Sequence, residues 1–244
     1  MSLLPPAGPG PECAAAEPEI LDRRQGPYGE VVLRRHGGRF QIIANGCFLM
    51  DTSDGRSERL LVRAAHAELF RDGPPARAPR VLIGGLGVGF SLIEAADEPS
   101  WGRISVVERE EAVIDWHRSG PLGGLTARAL ADPRTELLHA DLLDQLSGRA
   151  RPLPDGGYDA LCLDIDNGPD WTVTEGNGSL YSPAGLAACA AALAPGGVLA
   201  VWSARPSSNF EEAMRNSGFS GVRTEEVAVV RGVPDAVHLA VKPA

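Results

Sequence analysis

Cysteine is scarce in this 244-residue chain. Its four residues, Cys13, Cys47, Cys162 and Cys189, form no C-x-x-C pair and show no zinc spacing. A disulfide framework and a structural or catalytic metal are therefore not expected, and the thiols read as reduced, in a cytoplasmic setting. Long apolar runs are missing as well, so no membrane span is expected. Residues 1–20 lack the basic start and apolar core of a secretion signal. Positive charge is in deficit: 23 Lys+Arg against 32 Asp+Glu leave a net −9. That balance speaks against nucleic acid as a partner, since tracking a phosphate backbone takes clustered cations, and it favours a small cationic ligand. The five histidines are scattered, and no G-x-S-x-G elbow supports Ser/His/Asp catalysis.

Glycine and proline, by contrast, are abundant, at 29 and 20. With 43% hydrophobic and 23% charged residues the chain is nonetheless of globular composition, so the excess belongs to turns and loops. Residues 1–27 read as a mobile Pro/Ala-rich tail. Residues 28–72 read as a small β hairpin or meander, with strands at 30–34, 38–44 and 47–50, followed by a helix over 57–70. From 73 to 244 short apolar runs at 81–83, 104–107, 135–138, 160–163 and 198–202 alternate with helical stretches near 90–97, 109–118 and 181–193. Buried strands joined by crossover helices imply an α/β domain with a parallel sheet. The final runs, 222–230 and 236–241, are separated by only five residues, too few for a parallel crossover, so that pair is antiparallel.

The strongest local signal is Gly84-Gly85-Leu86-Gly87-Val88-Gly89, a buried strand running into glycines that open a helix. Such glycines let a backbone approach a nucleoside, or serve only a tight strand-to-helix turn. Glu108 ends the next run, where an acid accepts ribose hydroxyls and repels a 2′-phosphate. Asp141 follows the third run, placed to accept from an adenine amino group, to cap a helix, or both. The fourth run leads into Asp164, Asp166, Asn167 and Asp170. Crowded carboxylates there could hold an ammonium group or supply a base, or form a solvated acidic loop. Trp171 and Tyr181 flank a glycine-containing loop that reads either as a lid or as a static surface loop.

Glycine loop, Glu108, Ala140-Asp141, Tyr158-Asp159 with Asp164, Ser179-Leu180-Tyr181-Ser182 and Leu193-Ala-Pro-Gly-Gly-Val198 occur in the order found in spermidine synthase and its relatives. The chain resembles that aminopropyltransferase family. The resemblance implies a Rossmann-like class I S-adenosylmethionine (SAM) methyltransferase fold, a seven-stranded sheet with a reversed last strand, plus a small N-terminal β segment. It also implies a homodimer. By the same resemblance Gly84, Gly85, Gly87, Gly89, Glu108 and Asp141 bind the cofactor, and Asp164 is the catalytic base. Glu58, Asp166, Asn167, Asp170 and Tyr181 are then the acceptor-binding set.

Three departures bear on the reaction. The family loop G-G-G-D-G-G carries an Asp that contacts the aminopropyl end of decarboxylated SAM; here that position is Gly87. The second Asp of the family's D-x-x-D, which holds a diamine, is Asn167. The family's Asp-Glu…Tyr-His-Glu helix reads Ser57-Glu58-Arg59-Leu60-Leu61-Val62-Arg63, and Arg63 would either meet a carboxylate on the acceptor or lie exposed on the helix. The leading expectation is accordingly transfer of a methyl or alkyl group from SAM to an amine-type small-molecule acceptor. The alternatives are aminopropyl transfer from decarboxylated SAM to a polyamine, and a non-catalytic nucleoside-binding or assembly protein.

Overall fold

The computed structural model describes residues 17–174, 176–230 and 232–244. Most of the expected tail, with Cys13, lies outside the described residues. Two-residue turns at Gly37-Gly38 and Asn45-Gly46, all four residues at positive φ, fold the first strands back on one another. Strands β1 (Glu19–Gly26), β2 (Gly29–His36), β3 (Arg39–Ala44) and β4 (Cys47–Asp51) form an antiparallel sheet in that order. Strand β1 corrects the expectation of a tail reaching residue 27. Its Arg23-Arg24-Gln25 stretch shows no apolar alternation, so what orders it is tertiary. It pairs with β2, Arg23 bridges to Glu30 at 2.6 Å, and the Trp116 indole donates to Asp22 at 2.8 Å.

Helix α1 (Arg56–Leu69) follows, with Leu61, Val62, Ala64 and Ala65 buried on one face. That face packs mainly on the large sheet. The sequence therefore divides at 72/73 by composition, while α1 belongs by packing to the layer beyond that point. Val31, Leu33, Ile42 and Ala44 of the small sheet share one continuous core with α1.

The remainder runs β5 (Arg80–Gly84), α2 (Phe90–Asp97), β6 (Arg103–Glu108), α3 (Glu111–Arg118), α4 (Gly123–Leu130), β7 (Thr135–His139), α5 (Leu142–Leu146) and β8 (Tyr158–Leu163). A 3₁₀ turn (Asn177–Tyr181), α6 (Pro183–Ala192), β9 (Leu193–Ser203), α7 (Ser208–Asn216), β10 (Ser220–Val227) and β11 (Asp235–Val241) complete it. The seven-stranded sheet has the order β10-β11-β9-β8-β5-β6-β7. Strands β5 to β9 are parallel, and β11 runs antiparallel to both of its neighbours. The α/β architecture and the reversed last strand are as expected. Helices α4 and α7 escape the sequence reading; α4 starts on Gly123-Gly124, which have poor helix propensity.

Two features of this topology position the site. Strand β5 has β6 on one side and β8 on the other, so the connections leave in opposite directions and open a crevice at the carboxyl edge. Strand β11 is reversed, so its first residue, rather than its last, arrives at that same edge: Ala236 pairs with Ser203 at the end of β9. Among the described residues no helix is long and apolar enough to cross a membrane.

Candidate active site

A cavity of about 860 Å³ opens at this edge, between the carboxyl ends of the large sheet's strands and the small sheet. Its volume is in the range of small-ligand sites. Gly85 and Gly87 line it; Gly84 and Gly89 do not. Those two are glycines for packing reasons. A Cβ at Gly84 would meet Leu142 at 2.8 Å, and one at Gly89, which has φ +96°, would meet Thr126 at 2.3 Å. Gly85, at φ +93°, lies so close to the end of β8 that a Cβ would come within 2.1 Å of the Asp164 carbonyl oxygen. The close approach these glycines permit is thus first of all to the protein's own atoms, side chains at Gly84 and Gly89 and backbone at Gly85.

Buried groups clamp the loop. Glu108 accepts from Leu86 N at 2.9 Å through one oxygen and from Glu110 N at 2.8 Å through the other. His117, which the sequence reading passes over, donates from Nε2 to the Gly87 carbonyl at 2.8 Å and accepts at Nδ1 from the Thr126 hydroxyl at 2.7 Å. Burial lowers the His117 pKa, which favours the neutral ring that this donor–acceptor pattern uses. Asp141 caps α5, accepting from Leu143 N and Asp144 N, and its residue also lines the cavity. Each carboxylate oxygen can accept more than one hydrogen bond, so Glu108 and Asp141 retain acceptor capacity towards a nucleoside lying on Val107, Leu142 and Ile165. The adenosine part of the expected cofactor fits this end.

The acceptor end is different in kind. Asp164 lines the cavity just past β8, its amide donating to Gly84 O at 2.8 Å. Glu58 comes from α1 and Asp235 from the start of β11; both line the cavity. The Ser57 hydroxyl stands between them, 3.0 Å from Glu58 Oε2 and 2.8 Å from Asp235 Oδ2. One hydroxyl proton cannot serve two carboxylates, so the second contact calls for a proton on one of the acids. Burial raises the pKa of all three, most strongly that of Asp164, where the charges of Glu58 and Asp235 push the same way. Among the described residues no Arg or Lys forms an ion pair with any of the three acids. Asp235 and Ser57 carry no local signal in sequence; only the reversal of β11 brings them together.

The other expected acceptor residues divide. Asn167 lines the cavity and is buried, its side-chain nitrogen without a partner among the described residues. Asp166 lines the cavity too, and its carboxylate already accepts from Asn167 N, Val173 N, Thr174 N and Asn177 Nδ2 at 2.6–3.2 Å, so it holds the loop together. The same four bonds anchor residues 167, 173, 174 and 177 and favour the static loop over a lid. Asp170 is exposed and outside the lining, and Tyr181 is buried in the core against Phe210; neither faces the cavity. Arg63 lies exposed on α1 beside Glu94, away from the site. At Gly87, where the family carries an acid, the Met50 sulfur fills the space, 2.3 Å from where a Cβ would stand.

No protein-family model matches the sequence. The chain is 34% identical over 190 residues to the polyamine aminopropyltransferases of Mycobacterium tuberculosis and Mycobacterium bovis, a match covering 78% of this chain and 34% of each relative. It thus spans about a third of the length of these curated relatives. Among solved structures, a spermidine synthase from Thermotoga maritima superposes with a TM-score of 0.71 at 17% identity, covering 92% of this chain and 73% of that one. A spermidine synthase in complex with the transition-state analogue AdoDATO superposes equally well, at 19% identity, covering 92% and 74%. The chain has the spermidine synthase fold, and its sequence is related to the polyamine aminopropyltransferases, in agreement with the motif-based recognition.

Proposed function

We propose that this protein transfers an aminopropyl group from decarboxylated SAM to the amine of a polyamine-type acceptor. This is the alternative to the methyl or alkyl transfer expected first, and the named relatives favour it. The observation that carries it is the desolvated acidic group Glu58, Asp164 and Asp235. Among the described residues the cavity is lined by nine carboxylates and only two cations, Arg56 and Arg109. Arg56 is taken up by Asp54 at 2.7 Å, and Arg109 donates to Asn177 at 2.8 Å. Ammonium groups suit such a lining, and a free carboxylate, as on intact SAM, does not.

Decarboxylated SAM, when bound, supplies a propyl carbon activated by its sulfonium. The acceptor nitrogen forms the new C–N bond as the C–S bond breaks, with that electron pair going to sulfur. Asp164 takes the proton that the nitrogen loses. An alkylammonium ordinarily holds its proton to about pH 10.4, so a base with an upward-shifted pKa reduces the mismatch between donor and acceptor of that proton. Glu108 and Asp141 orient the nucleoside, and His117 holds the Gly87 carbonyl in place.

Gly87, with Met50 beside it, supports a second reading in which intact SAM is the donor, because no acid stands at that loop position. Calorimetric titration with each donor separates the two. Preference for decarboxylated SAM, with transfer to an amine, supports the proposal. Preference for SAM overturns it in favour of methyl or alkyl transfer, and binding without turnover on any amine points to the non-catalytic alternative. A homodimer in the cytoplasm completes the proposal; the free thiols of Cys47, Cys162 and Cys189 suit a reducing compartment.

A further inference from the structure

The acids that the family arranges around its acceptor are redistributed in this chain. Position 167 has become Asn, and position 57, an Asp in the resembling motif, has become Ser. Asp166 lines the cavity but already accepts four hydrogen bonds from its own loop, and Asp170 is turned out to solvent. Asp235, by contrast, is brought to the cavity from β11 and is hydrogen-bonded to Ser57 at 2.8 Å.

We infer that Asp235 is a specificity-determining residue which, with Glu58, receives the ammonium group of a diamine acceptor remote from the reacting nitrogen, in place of position 167. The inference rests on the amine-acceptor reading of the site. Asp164, on β8 next to the glycine loop, serves the reacting nitrogen, and a second cation needs a second anionic position. Glu58 and Asp235 are the remaining lining carboxylates of the triad, and the single Ser57 proton leaves one of them short of a donor. An ammonium, with three donors, completes both.

Asn167 adds an independent pointer. It is 6% exposed, lines the same cavity, and its side-chain nitrogen has no partner among the described residues. A buried amide of this kind costs stability unless something bonds to it, so the wall it forms is built for a ligand. Its neutral amide cannot replace a carboxylate as counter-ion to an ammonium, which leaves the charge to Asp235 and Glu58.

Equilibrium binding of 1,4-diaminobutane and of n-butylamine to the full chain, wild type and Asp235→Asn, tests this without requiring turnover. The wild type should bind the diamine at least tenfold more tightly than the monoamine. Asp235→Asn should weaken the diamine tenfold or more, change the monoamine by less than twofold, and unfold no earlier than the wild type. Equal binding of the two amines by the wild type, or equal losses for both in the variant, would overturn the inference. Transfer from decarboxylated SAM is measured separately. Asp235-dependent diamine binding without transfer removes the proposed reaction and keeps the inference. Transfer with no diamine preference does the reverse.

Discussion

Asp164 and Asp166 are two residues apart, yet the fold treats them oppositely. Asp166 is surrounded by four donors and ties a loop together, whereas Asp164 lies in a desolvated space facing two further acids. The contrast extends to the two ends of the cavity. At the donor end, Glu108, Asp141 and His117 have their polar contacts supplied by backbone and side chains within the protein, so that end is preorganised. At the acceptor end, burial and mutual proximity make Glu58, Asp164 and Asp235 costly to ionise, a cost that a bound cation would relieve. One end is stable because it is satisfied; the other is prepared for a ligand because it is not.

The largest expected effect sharpens the role of Asp164. Asp164→Asn should lower kcat for amine transfer by roughly 10²–10⁴-fold, the range of general-base catalysis, while cofactor affinity changes only a few-fold. Steady-state kinetics beside donor titration checks this, and equal losses in both would break the contrast between the two ends.

Thermal unfolding of the ligand-free protein tests the contrast in stability. Asp166→Ala leaves four loop donors without their acceptor and should cost roughly 2–4 kcal/mol, a fall of roughly 5–15 °C in midpoint. Glu58→Gln replaces a buried acid that is costly to ionise beside Asp164 and Asp235 with a neutral amide and should raise the midpoint at neutral pH by roughly 2–4 °C, on the order of 1 kcal/mol. Destabilisation by both substitutions would mean that the acidic group is structural.

The smallest effect is in pH. The folded chain keeps protons on Glu58, Asp164 and Asp235 that the unfolded chain has already released, so these groups favour folding below about pH 4 and lose that contribution as pH rises through their raised folded values. The neighbouring Asp54, lowered chiefly by its hydrogen bonds with Arg56, works in the opposite sense at more acid pH. A bound diamine favours the ionised acids, so its uptake should release protons and its affinity should rise with pH through the same window. Calorimetry in buffers of different ionisation enthalpy reads the proton count; zero release would show that the triad is already ionised before binding.

Much of the donor end is legible residue by residue, because its signals are local. A strand running into glycines, an acid closing the next strand and an Asp ahead of a helix can all be read without knowing the fold. Four acceptor-end expectations met different fates for one reason: spacing along a loop does not say which way each carboxyl turns. Asp164 and Asp166 both line the cavity, but Asp166 is held by four donors of its own loop, Asp170 is exposed outside the lining and Tyr181 sits in the core. His117 was passed over because nothing near it in sequence marks it as a partner of Gly87.

What the sequence by itself determined is the alternation of strands and helices, the reversed final strand and the motif order shared with spermidine synthases. These follow from apolar periodicity, connection length and short-range glycine geometry, all properties of neighbouring residues. Tertiary structure alone decided that β1 joins the small sheet, that α1 packs on the large one, and that Glu58, Asp164 and Asp235 share one desolvated space. The physical reason is that burial and like-charge proximity arise only when elements distant in the chain are packed together, and here the reversal of β11 carries the first residue of a strand to the edge where the others end.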